Sequence, residues 1–152
     1  MRFGKFSLYL CMDGFFRLDG GAMFGVVPRV LWEKRNPPDD KNRILMAIRS
    51  LLIQTGRSNI LVDAGIGSKG DKKFHEIYAV DRNPPLEAAL ASCGLGPQDI
   101  HVVINTHLHM DHAGGNTHRE AGRAVPSFPR ARYIVQEGEW RDATCPNERT
   151  RA

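Results

Sequence analysis

The feature that most constrains this sequence is a short apolar run, residues 100–104, leading directly into a crowd of ionisable side chains. The continuation reads Asn105-Thr106-His107-Leu108-His109-Met110-Asp111-His112-Ala113-Gly114-Gly115. An apolar run of this length predicts a buried strand. If the chain stays extended just beyond it, His107 and His109 project to one side, because alternate residues of a strand do so. Asp111 and His112 then fall at the start of a helical turn, where a carboxylate meets the favourable end of the helix dipole. Three imidazoles and a carboxylate converge within six positions, and Ala113, Gly114 and Gly115 let the backbone pass close beside them. That donor set suits zinc, and also iron or manganese. An apolar strand end gains nothing from four polar side chains whose desolvation must be compensated, so metal binding outweighs coincidence. His75, His101 and His118 lack such company and read as surface, core or loop residues.

The rest of the chain alternates strands and helices. Residues 6–12 follow the two-residue period of a half-buried strand, and Asp13-Gly14 predicts a tight turn returning through residues 15–18 as a hairpin. A Gly-rich apolar loop follows over residues 19–25, then a short helical turn at Leu31 and Trp32, then a polar loop over residues 34–42. Residues 44–55 predict a long buried strand, turning through residues 56–59 into Ile60-Leu61-Val62-Asp63. Phe74, Ile77 and Tyr78 stand at helical spacing. Leu86, Ala89, Leu90 and Cys93 make one apolar stripe, with Gly94 where a helix stop belongs. A short strand over 131–135 and a helix over 137–143 carrying Trp140 precede an unpatterned tail, residues 145–152. Strand, helix, strand predicts a right-handed parallel crossover, an α/β fold with a mixed sheet and flanking helices. Ligands in such sheets gather beyond the carboxyl ends of the strands, and Asp63 and His107 fall on that same rim.

Composition narrows the class. With 152 residues, 41% hydrophobic and 25% charged, the chain fits one soluble domain with a real core. Lys and Arg exceed Asp and Glu by 21 to 17, an excess too dispersed for a nucleic-acid surface. No apolar stretch approaches the roughly 18 residues of a membrane span. The amino terminus lacks a cleavage site for a leader, so a cytoplasmic location is expected. Cys11, Cys93 and Cys145 match no disulfide framework or thiolate zinc site and read as reduced thiols.

His107-x-His109-x-Asp111-His112 resembles the motif of the metallo-β-lactamase-fold hydrolases, and Ile60-Leu61-Val62-Asp63-Ala64-Gly65 resembles that family's strand ending in an aspartate. The resemblance implies that His107 and His109 hold a first metal, and Asp111 and His112 a second. Asp63 then hydrogen-bonds and orients a ligand histidine; by itself it reads as a strand-end turn carboxylate. The implied chemistry is hydrolysis of a small-molecule ester or lactone, with thioester, phosphoester and β-lactam cleavage as alternatives, by metal-activated water, with one or two zinc ions and Asp111 orienting the water. Asp19-Gly20-Gly21-Ala22-Met23-Phe24-Gly25 is similar to a loop of the lactonase-like and organophosphate-hydrolase-like branches, which makes Met23 and Phe24 an apolar wall of a substrate pocket, although packing onto the sheet accounts for them equally well.

The family pattern continues further than residues 1–152. It adds a downstream histidine, a bridging aspartate and a final histidine, and after His112 only His118 remains. The expectation is one partial domain, the amino-terminal half of an αββα sandwich, with a truncated metal site and an uncovered apolar sheet face through which copies would associate. Such a chain would be inactive alone, or a non-catalytic interaction module. A rival is a dinucleotide-binding module, since Gly65-Ile66-Gly67-Ser68-Lys69-Gly70 fits Gly-x-Gly-x-x-Gly. Asp63 would set a negative charge near the pyrophosphate, and no acidic residue ends a further strand about 20 positions on, so a strand-to-helix turn is the better reading.

Overall fold

The computed structural model describes residues 1–148; residues 149–152 of the unpatterned tail lie outside the described residues. The strands are β1 (Arg2–Phe3), β2 (Phe6–Asp19), β3 (Arg43–Gln54), β4 (Asn59–Val62), β5 (Val102–Ile104), β6 (Thr117–Glu120), β7 (Arg123–Pro126) and β8 (Arg132–Ile134). The helices are α1 (Gly20–Phe24), α2 (Arg29–Trp32), α3 (Lys72–Tyr78), α4 (Leu86–Ser92), α5 (Met110–Ala113) and α6 (Glu137–Thr144). Six strands form one sheet in the order β1-β2-β3-β4-β5-β8, antiparallel as far as β4 and parallel from β4 to β8. The expected mixed sheet and parallel crossover are both present, with α3 and α4 between β4 and β5.

The hairpin expected at Asp13-Gly14 is not formed. β2 runs through both residues and stays paired with β3 along its length. Met12 faces Arg49 and Phe15 faces Ala47, so Asp13 and Gly14 together stand opposite Ile48, a β-bulge. Gly14 has φ +81°, and a Cβ there would collide with the Asp81 carbonyl, so only glycine fits. The sequence signal for a turn and the signal for a bulge are the same dipeptide, because both need an αL-tolerant residue. The supposed loop at residues 19–25 also differs. It is the short helix α1, capped by the Asp19 carboxylate accepting from the Ala22 amide at 2.9 Å.

One face of the sheet is closed. Cys11, Leu52, Leu61 and Val103 point toward α4, whose Leu86 and Leu90 are buried against them, as the stripe on that helix predicts. Each such side chain contributes roughly 1.5–3 kcal/mol by leaving water. The opposite face is open. Two rows cross it, Leu10–Leu51–Val62–Ile104–Ile134 and Leu8–Ile53–Ile60–Val102, and none of these nine residues is buried. Leu10 is 73% exposed, the reverse of its neighbour Cys11 at 1%. Two-sided apolar strands with one covered face are the pattern of a sheet built to be packed on both sides.

A second small sheet pairs β6 with β7. His118 therefore sits on a strand, not in the loop expected for it. No helix among the described residues is long and apolar enough to cross a membrane.

The bulge delivers the Asp13 carboxylate into the interior, where it is 0% exposed. It accepts from the amides of Ile66 (2.9 Å), Gly67 (3.3 Å) and Leu86 (2.9 Å), and from Arg82 at 2.9 Å (Nε) and 2.7 Å (Nη2). Removing one partner of such a buried pair leaves an uncompensated charge. Asp13→Ala is therefore expected to cost about 3–5 kcal/mol in urea denaturation, and a loss below about 1 kcal/mol would show that water can replace the carboxylate.

Near the other end of β3, the hydrogen-bonded Arg43 guanidinium holds the Asp39 carboxyl down to about 2, from an ordinary 3.8. The folded value lies below the unfolded one, so this pair stabilises the fold at pH above about 4 and its contribution is lost as pH falls through about 2. Thermal melts of wild type and Asp39→Asn should differ at neutral pH and converge as the pH falls below about 2. A difference unchanged by acid would mean that charge plays no part.

Candidate metal centre

β4 and β5 end side by side, and the two segments that leave them are fastened together. Asp63, directly after β4, donates its amide to the Ile104 carbonyl at 2.8 Å. Its φ of +60° is left-handed, a conformation that aspartate tolerates better than most residues but at a cost. That backbone turn aims the carboxylate across β5 and into the histidine segment.

There the Asp63 carboxylate, 7% exposed, organises its neighbours. Oδ1 accepts from the Thr106 amide at 2.8 Å, and the Thr106 hydroxyl lies 3.0 and 2.9 Å from the two oxygens. Oδ2 contacts His112 Nδ1 at 2.8 Å. Thr106 Oγ1 also meets His107 Nδ1 at 3.1 Å. A carboxylate only accepts, so His112 Nδ1 carries the proton on that bond. The single Thr106 hydroxyl proton goes to the carboxylate as well, so His107 Nδ1 donates to the threonine. In their neutral form both rings then carry the lone pair on Nε2, the form a metal ligand needs.

The sequence-picked residues come together as follows. The His107 ring centroid lies 4.0 Å from that of His112 and 4.7 Å from that of His109. Asp111 and His112 are in α5, capped at its start by His109, and Asp111 Oδ2 is 3.3 Å from His112 Nε2. The rings gather, but their donors do not: among the described residues, no three His, Cys, Asp or Glu side chains are arranged to hold a metal ion. The four residues stand together, with His112 Nε2 against Asp111 Oδ2 and the His107 and His109 rings beside them. The donor chemistry fits a cation nonetheless. With Nδ1 protonated, His112 Nε2 and Asp111 Oδ2 are two acceptors facing each other, a contact that only a proton or a cation reconciles.

Phe24 stacks on Trp32 at 4.8 Å, while Met23 is 43% exposed on α1. Packing thus accounts for Phe24.

Several residues that sequence reasoning passed over hold the site. The Glu139 carboxylate of α6 accepts from the Leu108 amide at 3.2 Å, between the two histidines of the motif. The Lys69 ammonium donates to the carbonyls of Gly114 (2.6 Å) and Thr117 (3.0 Å) and to the Thr117 hydroxyl. Burial, with Arg119 nearby, pushes that ammonium below its usual pKa. Thr106 was legible as a neighbour of the motif, whereas Glu139 and Lys69 carry no local signal.

Behind α5 the backbone is packed without space for side chains. The Ala64 amide donates to the His112 carbonyl at 2.7 Å, and the Gly115 amide to the Gly65 carbonyl at 2.9 Å. This packing also disposes of the dinucleotide reading. The Ile66 and Gly67 amides that would cradle a phosphate already bind Asp13, and a Cβ on Gly67 would meet Gly114 and Gly115.

Comparison with known proteins agrees with this geometry. Residues 44–135, more than half of the chain, match the metallo-beta-lactamase superfamily. The chain belongs to that superfamily. Among solved structures, a probable metal-dependent hydrolase from Staphylococcus aureus is 40% identical with a TM-score of 0.87, over 99% of this chain and 55% of its own. A dizinc quorum-quenching lactonase, AidC, shares the fold with a TM-score of 0.73 at 24% identity, over 97% of this chain and 47% of its own. An N-acyl homoserine lactonase of Bacillus cereus is 26% identical over 117 residues, 70% of this chain and 43% of that protein. The chain spans about half the length of these relatives.

The packing behind α5 makes a direct prediction. A Cβ at Gly115 would collide with the Ala64 carbonyl, which is backbone and cannot rotate away. Gly115→Ala should lower stability by more than about 2 kcal/mol, read as the thermal midpoint. A midpoint within 2 °C of wild type would contradict the contact.

Proposed function

We propose that this chain carries the amino-terminal part of a metal-dependent hydrolase acting on a lactone or ester. The observation that carries the reading is the set of contacts around Asp63: its carboxylate meets His112 Nδ1 and the Thr106 hydroxyl, Thr106 meets His107 Nδ1, and His112 Nε2 stands 3.3 Å from Asp111 Oδ2. His107 and His109 would hold one metal, and Asp111 and His112 another; zinc is the metal proposed. The chemistry that zinc supplies when bound is Lewis-acid activation of water near neutral pH and polarisation of the scissile carbonyl.

The chain's own residues do the rest. Asp63 and Thr106 hold the two rings at fixed orientation, and Glu139 restrains Leu108 between His107 and His109. Asp111, near the start of α5, accepts a proton from the attacking water and orients it. The lactonase relatives support a lactone as substrate, and the open sheet face supports a sandwich whose second half lies beyond these 152 residues. Association of copies through the same face is the alternative.

Two measurements test this. Zinc uptake by the 152-residue chain should be weak and stoichiometrically incomplete, and Asp63→Ala should weaken it a further 10–100-fold, on the order expected for a ligand-orienting carboxylate. Adding the carboxy-terminal half of the Staphylococcus aureus relative should raise both zinc occupancy and lactone turnover, and His109→Ala in that assembly should abolish turnover. Zinc uptake unaffected by His107→Ala, His109→Ala and His112→Ala would end the metal reading. Tight uptake with no hydrolysis by the complemented assembly would favour a non-catalytic role.

A further inference from the structure

Cys11 and Cys93 are distant in sequence, one on β2 and one at the carboxyl end of α4, yet the fold sets them together: Cys93 packs against the core cluster that holds Cys11 and shares a hollow with Tyr9 and Leu10 of the same strand. Cys11 is 1% exposed within the main core cluster, and Cys93 packs against that cluster from the helix side. Their access to solvent differs. Cys93 is half-buried and borders an open hollow of about 550 Å³ shared with Leu8, Leu10 and Ala89. Cys145, beyond α6, is exposed and belongs to neither cluster.

We propose that Cys11 and Cys93 are a disulfide-forming pair, oxidised by a small-molecule disulfide of the glutathione class that enters at Cys93. The exchange balances in two steps. The Cys93 thiolate attacks one sulfur of oxidised glutathione, the glutathione disulfide breaks, and one glutathione leaves and takes up a proton. Cys11 then gives up its proton and attacks the Cys93 sulfur of the mixed disulfide, and the second glutathione leaves as its thiol. Two protein thiols are oxidised and one glutathione disulfide is reduced to two thiols.

The order of attack follows from the surroundings. Burial, with Cys93 beside it, pushes the Cys11 thiol up to about 11, and no small molecule reaches it through the core. Cys11 is therefore the resolving sulfur and Cys93 the entry point. The new bond would close a loop containing β3, β4 and α3, tying the central sheet to its covering helix. A long closed loop restricts the unfolded chain more than a short one.

The test is oxidation of the folded 152-residue chain with oxidised glutathione, followed by alkylation and peptide mapping without reduction, beside a sample oxidised in denaturant. The folded chain should give the Cys11–Cys93 link in at least about tenfold excess over any link to Cys145, with glutathione left on Cys145. Its thermal midpoint should rise on oxidation and return with reductant. The denatured sample should favour Cys93–Cys145, the shorter loop. In Cys93→Ser, Cys11 should resist alkylation and the midpoint should ignore the oxidant. Persistent glutathione on Cys93 with Cys11 still reduced would overturn the proposal, as would the same pairing pattern in folded and denatured samples.

Discussion

The buried carboxylate of Asp13 is the interaction on which the other parts depend. An anion fully out of water is costly unless its oxygens are fully engaged, and here they are. Arg82 binds it through two nitrogens, and although burial opposes the charge of that guanidinium, Asp13 and Glu87 hold its pKa above the ordinary value. The three amides come from two places: Ile66 and Gly67 in the loop after β4, and Leu86 at the first residue of α4. One side chain from β2 thus fixes the entry of the covering helix and the shape of the loop behind the histidines. The bulge at Asp13 and Gly14 exists because that carboxylate has to turn inward while β2 stays paired with β3.

From that loop the constraint passes to the candidate metal centre. Residues 64–67 lie backbone to backbone against residues 112–115, so His112 can move only if the Asp13-bound loop moves with it. Asp63 supplies the second fixed point. Its left-handed backbone places one carboxylate where it can serve Thr106 and His112 together, and through Thr106 the ring of His107. Two imidazoles are therefore oriented by a single acid, and His112 turns its Nε2 toward Asp111. This economy places the chemistry of the site on a few short bonds among residues distant in sequence.

The sheet itself is asymmetric in a way that bears on the proposed function. Its covered face is a finished core, with Leu52, Leu61, Leu90 and Val103 fully removed from water. Its other face presents leucine, isoleucine and valine in rows with no buried member. A contiguous apolar surface of that kind marks a packing interface, for a further half of the same fold or for another copy. The relatives, about twice as long, are consistent with the first of these.

Sequence alone determined the strands at residues 44–55 and 60–63, the helix stripe from Leu86 to Cys93, the parallel crossover and the histidine motif. These rest on local periodicity and on residue types that few other roles can explain. It misread Asp13-Gly14 as a turn, residues 19–25 as a loop and His118 as a loop residue, and it left Glu139, Lys69 and the meeting of Cys11 with Cys93 unseen. Each of those depends on what stands opposite in space: a buried arginine, a cap, a partner strand or a thiol from another element. Local pattern encodes where an apolar side chain goes, since water drives that choice everywhere alike. Which polar group meets which is decided only when the folded chain brings distant donors and acceptors within bonding distance.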